Sequence, residues 1–233
     1  MRFSRWSALG NTYLVFERAD DGPLTPERVR ELCRDADGVV EVVATAADEV
    51  AIAIWNRDGS RAEVSGNGTR IAARWLSERT GARVVRVRIG EREVVARMLG
   101  ALEAETDMGE VRVGERETID GLALVPVSVG NPHAVVEGDP AEVVRIGPAL
   151  VAHARFPGGT NVEVARVDGP GDVTARVWER GVGETSASGT GAVAVAAATH
   201  TAGEVVVHFP GGDLKVRLEG GRAYLRGPAE RVE

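Results

Sequence analysis

The chain has 233 residues, 43% of them hydrophobic, and 28 basic against 35 acidic side chains give a formal charge of −7. That length suits one large domain or two small ones, with enough apolar content to bury a core. The negative charge is spread along the chain and argues against a nucleic-acid partner held through phosphates, and no apolar run exceeds 192–198, far too short to span a bilayer as a helix.

In chain order, the first ten residues carry no apolar leader segment, so a soluble cytoplasmic protein is expected. A β-type run at 13–16 comes first. A helix follows, with Thr25 as N-cap and Pro26 at its first position, running to about Arg34. Cys33, the single cysteine, falls inside it and reads as a buried helix residue. Strands are predicted at 39–43 and 50–55, then a helix over 69–79 behind Ser65-Gly66-Asn67-Gly68, then strands at 84–89, 93–98 and 101–107. The second half predicts strands at 122–129, 134–137, 161–167 and 172–178. A helix over 192–201 stands behind Ser188-Gly189-Thr190-Gly191, and strands at 204–209 and 213–218 close the list.

The halves repeat one another. Ile54-Trp55-Asn56-Arg57 matches Val177-Trp178-Glu179-Arg180, and Ser65-Gly66-Asn67-Gly68 matches Ser188-Gly189-Thr190-Gly191, both at an offset of 123; Gly10-Asn11 matches Gly130-Asn131 at 120. The matched order of strand, Ser-Gly-x-Gly, helix and strand predicts an α+β protein of two related domains, 1–115 and 116–224, with a boundary near 114–118. A tail at about 225–233 is placed to pair back with the first domain.

Composition also limits the chemistry. One cysteine excludes an internal disulfide and a cysteine-rich zinc site. Lys215 is the single lysine, in an alternating strand-like stretch, which argues against Schiff-base chemistry and a P-loop. His153, His200 and His208 show no metal-ligand spacing, so neither metal nor cofactor is expected. Each Ser-Gly-x-Gly lies at a strand-to-helix junction. There it is either a serine-capped turn or a seat for a carboxylate on free backbone N–H groups. Two copies facing one ligand would suit removal of a proton from one face of a carbon and its return to the other. The pair Glu179 and Arg180 suits an ammonium and a carboxylate, or a surface ion pair. Asn11, Asn56, Asn131 and Asn161 read as turn formers on their own, and His133 as either a binding residue or a hydrogen-bonded interior histidine.

Taken together, these residues resemble the diaminopimelate epimerases. The resemblance rests on Leu9-Gly10-Asn11, Ile54-Trp55-Asn56-Arg57-Asp58-Gly59-Ser60, Gly66-Asn67-Gly68-Thr69-Arg70, Gly130-Asn131-Pro132-His133, Asn161, Glu179-Arg180-Gly181-Val182-Gly183-Glu184-Thr185, Gly189-Thr190-Gly191-Ala192 and Phe209-Pro210-Gly211-Gly212. It implies two pseudo-symmetric domains, each a strand-rich sheet wrapped around a central helix, with the active-site cleft between them. It also implies a cofactor-independent isomerase of lysine and peptidoglycan precursor biosynthesis, and a homodimer. Asn11, Asn56, Asn161, Glu179 and Arg180 would bind an amino acid with a second amino-acid end. Gly66, Asn67, Gly189 and Thr190 would hold the reacting carboxylate, with Asn131 and His133 beside it.

The catalytic positions of that family carry cysteine, and here they are Ser65 and Ser188. A thiol ionises near 8.5 and an alkoxide is about as hard to form as hydroxide, near 15.7, a gap of roughly 10 kcal/mol. The two-thiol mechanism therefore cannot run as written. Thr12 replaces the usual Asp after Gly-Asn, and the loop at 32–38 is shortened. The alternative implied is a paralogue that binds an amino acid without turning it over.

Overall fold

The computed structural model describes residues 3–62 and 65–232. They form two compact units, Met1–Asp107 with Arg226–Glu233, and Met108–Leu225.

In the first unit, β1 (Phe3–Ala8) and β2 (Asn11–Glu17) form a hairpin through Leu9 and Gly10, both at positive φ. A short α1 (Arg18–Asp21) leads to α2 (Pro26–Leu32), which starts as its sequence predicts: Thr25 Oγ1 accepts from the Arg28 N–H at 3.3 Å and Pro26 fills the first position. β3 (Gly38–Thr45) runs parallel to β2 and antiparallel to β4 (Glu49–Asn56), and β5 (Arg61–Ala62) flanks β4. Then come α3 (Gly66–Thr80), β6 (Val84–Ile89), parallel to β4, and the antiparallel β7 (Arg92–Leu99) and β8 (Glu103–Glu110).

The second unit repeats this order. β9 (Arg112–Val113), β10 (Glu117–Ile119) and β11 (Leu122–Ser128) precede β12 (Pro132–Glu137). After α4 (Val143–Val151), β13 (Asn161–Gly169) runs parallel to β12, and β14 (Asp172–Glu179) antiparallel to β13, with β15 (Gly183–Thr185) beside it. Then come α5 (Gly189–Thr199), β16 (Gly203–Phe209), parallel to β14, β17 (Gly212–Glu219) and β18 (Arg222–Pro228). β19 (Glu230–Arg231) belongs to the first unit, where it pairs with β1, Trp6 opposite Arg231.

The repeat holds at the level of register. β2 and β3 begin their parallel pairing at Tyr13 and Gly38; β12 and β13 begin theirs at His133 and Asn161. Val39 pairs with Trp55 as Val162 pairs with Trp178. Each unit wraps its strands around one helix. On α3 every residue from Gly66 to Leu76 is buried, and on α5 every residue from Gly189 to Ala196. A helix buried all round shows no polar stripe, as the Ala/Val run of α5 illustrates; α3 instead buries Asn67, Thr69, Arg70 and Arg74 among its apolar residues. Arg74 is accommodated on α3 because its guanidinium donates to the carbonyls of Gly100 and Ala101.

Three local differences from the sequence reading have plain causes. Both central helices start three residues earlier than expected, so that Gly-x-Gly is their first turn. α4 was not anticipated, because Gly147 and Pro148 interrupt its pattern. Gly147 is needed there: a Cβ would lie 2.5 Å from Trp178 Cβ. β1 lacks clean alternation, and its pairing with β2 and β19 fixes it instead.

Candidate functional site

In the first unit, β4 ends at Asn56, whose side chain donates to Ser60 Oγ at 2.9 Å. The chain returns to Ser65, which sits in extended backbone (φ −144°, ψ 118°) as the N-cap of α3. Its Oγ accepts from the Gly68 N–H at 3.1 Å. The first-turn N–H groups of Gly66 and Asn67 have no intrahelical acceptor, and the helix dipole adds partial positive charge there. Asn67 is buried, its Oδ1 accepting from Arg70 Nη2 at 2.7 Å. Asn11 is also buried, at the head of β2. Tyr13, two residues on, brings its hydroxyl to 3.4 Å from Ser65 Oγ. Its ring lies over Gly38, where a Cβ would stand 2.7 Å from Tyr13 Cε1.

The loop between α2 and β3 is tied down locally. Asp37 Oδ2 accepts from the Thr12 N–H at 2.8 Å and the Asp37 N–H donates back to the Thr12 carbonyl at 2.7 Å. The Thr12 backbone and the segment at Asp37 therefore hold one another. Cys33 is 1% exposed, and burial pushes its thiol up to about 11. It is the C-cap of α2 and no reactive thiolate.

In the second unit Ser188 caps α5 in the same way, its Oγ accepting from the Gly191 N–H at 3.2 Å. Gly189 and Thr190 occupy the first turn. Asn131 Nδ2 approaches Thr190 Oγ1 at 3.4 Å, and Asn131 Oδ1 meets His133 Nε2 at 3.0 Å. His133 Nδ1 lies 2.8 Å from Glu163 Oε1, with both residues sealed from solvent. Gly191 packs on that carboxylate: a Cβ there would be 2.8 Å from Glu163 Oε1. His133 is thus an interior, doubly bonded histidine at the foot of the helix that begins the second seat.

Asn161 braces the loop after β14, its Oδ1 accepting from the Arg180 N–H at 3.0 Å and its Nδ2 donating to the Pro132 carbonyl at 3.1 Å. Glu179 accepts from Thr185 Oγ1 at 2.7 Å. The stem of Arg180 crosses Gly159, which has φ 73° and where a Cβ would meet Arg180 Cδ at 2.8 Å. The exposed guanidinium donates to the Gly158 carbonyl at 2.9 Å and faces no carboxylate among the described residues. Arg180 therefore presents an uncompensated cation suited to a ligand carboxylate.

The sequence-chosen residues thus fall into two sets. Asn11, Asn56, Ser65, Gly66 and Asn67 lie in the first unit; Asn131, His133, Asn161, Glu179, Arg180, Ser188, Gly189 and Thr190 lie in the second. Three neighbours escaped the sequence reading: Tyr13, Arg70 and Glu163. Tyr13 was legible in principle, because the 120-residue offset that pairs Asn11 with Asn131 also pairs Tyr13 with His133. Among the described residues no cluster of His, Cys, Asp and Glu could hold a metal ion.

A family model described as diaminopimelate epimerase matches residues 3–113 and 125–232. The chain is 38% identical to the diaminopimelate epimerase of Desulforudis audaxviator (strain MP104C), covering 100% of this chain and 97% of that protein. It is 39% identical to that of Thermobifida fusca (strain YX), covering 98% and 95%. Among solved structures it resembles a predicted epimerase from Pseudomonas aeruginosa, with TM-score 0.81, 18% identity and coverage of 100% and 97%. It also resembles a hydroxyproline epimerase from Agrobacterium vitis solved with trans-4-hydroxy-L-proline, with TM-score 0.70, 13% identity and coverage of 98% and 88%. These two structural likenesses concern the fold.

Proposed function

Because the chain belongs to the diaminopimelate epimerase family, we propose that it is an amino-acid epimerase whose substrate is diaminopimelate. The observation that carries this reading is the pair of matched seats: Ser65 on α3 and Ser188 on α5 cap their helices with the same bond three residues on.

The chemistry follows from those groups. N–H donors at Gly66, Asn67, Gly189 and Thr190 favour a carboxylate, and favour it more as charge builds on its oxygens. Loss of the α-proton puts such charge there, so the same donors lower the barrier to a carbanion. Arg180 takes the remote carboxylate, and Glu179 with Asn56 takes ammonium groups. Inversion needs one group to remove the proton and another to return it. The serines hold the two family positions, and Cys33, buried in its helix cap, supplies no thiolate in their place.

The test is conversion of L,L- to meso-diaminopimelate by the purified protein, followed by chiral chromatography. Conversion supports the epimerase. Saturable binding without conversion or α-proton exchange would instead establish the amino-acid-binding paralogue that two serines also suit. The same reading makes the protein a cytoplasmic enzyme that associates with a second copy of itself and uses no cofactor.

A further inference from the structure

The two units differ at the C-terminal ends of their central helices. On α3, Trp75 is 5% exposed and the Arg79 guanidinium lies 4.6 Å over its ring. Arg79 in turn donates to Glu17 Oε1 at 3.0 Å, so an indole, a guanidinium and a carboxylate stand together. The 123-residue offset places Ala198 of α5 at the position of Trp75. The strand register places Glu137 at the position of Glu17. Each is the fifth residue of its parallel pairing, Glu17 opposite Val42 and Glu137 opposite Ala165. Glu137 keeps a guanidinium partner, because Arg116 donates to its Oε2 at 2.7 Å. The second unit thus retains the ion pair, and an alanine stands where the first unit carries the ring. A hollow of about 170 Å³ opens at that place. Val125, Val135 and Val167 line it from β11, β12 and β13, and Ala198 and Thr199 line it from α5, with the Arg116–Glu137 pair beside them. The Thr199 hydroxyl is already spent, donating to the Val195 carbonyl at 2.8 Å.

We propose that this hollow binds a small planar aromatic molecule of the indole class, whose ring takes the place that Trp75 holds in the first unit. The size suits one ring system: an apolar cavity of about 150 Å³ holds a benzene ring, and this hollow is slightly larger and open to solvent on one side. The valines and Ala198 take the ring out of water. Arg116 offers its guanidinium to the ring face, as Arg79 does to Trp75. Glu137 accepts a hydrogen bond from a ring N–H or hydroxyl at the open edge. Arg116 is 61% and Glu137 68% exposed, so their pairing adds little stability of its own and re-aims toward a ligand at small cost. All these residues belong to the second unit. The seat at Ser188 lies ten residues before Ala198 on the same helix, about 15 Å along its axis, so the two ligands do not compete for space. The proposal stands apart from the epimerase reading.

Indole itself is the probe, titrated into the full unmutated chain and followed by amide NMR. Saturable shifts are expected at about 1 mM indole or below, confined to the surroundings of Ala198, Val125, Val135 and Val167. Ala198→Trp supplies the ring covalently and should abolish those shifts. Ala198→Leu blocks the hollow with a smaller side chain and should abolish them too, which keeps the test intact if the tryptophan variant does not fold. Arg116→Met keeps an apolar stem without the cation and should weaken indole binding by about 2–5-fold. The absence of saturable shifts in the unmutated chain overturns the proposal. So do shifts of undiminished size in a folded Ala198→Leu variant, or saturable shifts that centre on residues outside the hollow.

Discussion

His133 Nδ1 and Glu163 Oε1 lie 2.8 Å apart, and neither side chain is reached by solvent. The pair ties β12 to β13 directly beneath the start of α5, so the N-terminus of that helix is braced by a buried polar bond. Glu163→Ala strands an interior imidazole and should cost about 2–4 kcal/mol of stability. Urea denaturation measures this, and a cost under about 1 kcal/mol would show that the pair braces nothing.

Gly38 gives a second mechanical test. A Cβ there would stand 2.6 Å from the Trp55 carbonyl and 2.7 Å from Tyr13 Cε1. Gly38→Ala must therefore move backbone or swing the tyrosine ring. The expected outcome is a loss of about 1–3 kcal/mol in urea denaturation. An unchanged denaturation midpoint and melting temperature would mean the ring is not held there.

Glu41 predicts acid sensitivity of the first unit. It is fully buried. Burial raises its pKa, but hydrogen bonds from Arg18, the Trp55 indole and the Leu24 N–H outweigh that and hold the carboxyl below its usual range. A depressed carboxylate stabilises the fold above its unfolded value, near 4.3, and that contribution fades as pH falls through the folded value. Glu41→Gln should therefore be less stable than wild type at neutral pH, with the gap closing as the solution is acidified. Trp55 fluorescence in denaturation series at several pH values reads this, and a constant gap would contradict it.

The serine positions predict a gain. Ser65→Cys/Ser188→Cys places thiols at the two helix N-termini, where the dipole favours thiolate. Exchange of the α-proton should rise by about 10-fold or more over the unmutated chain. A double variant that folds and exchanges no faster would mean that these positions do not contact the α-carbon.

Much of the architecture was legible from the repeat alone. Trp55 and Trp178, and the two Ser-Gly-x-Gly motifs, kept one offset, and the register pairs Val39–Trp55 and Val162–Trp178 show why. The same strands had to present the same residues to the same kind of helix. Local features that depend on distant packing were not legible. α4 hides behind Gly147 because the room for Trp178 is a tertiary fact. Glu163 reads as a polar interruption in a valine strand until His133 is beside it. Arg70 reads as a surface residue on any helix with a polar face; α3 has none, so its charge is buried.

The central claim is that this chain, with Ser65 and Ser188 capping its two central helices, moves an α-proton. Proton NMR of L,L-diaminopimelate in deuterated water with the purified, unmutated protein tests it directly, with a mock purification from cells that do not express the protein as the contamination control. The account predicts loss of the α-proton signal in the first sample and its persistence in the second. An α-proton signal that persists in both, with substrate demonstrably bound, would contradict it.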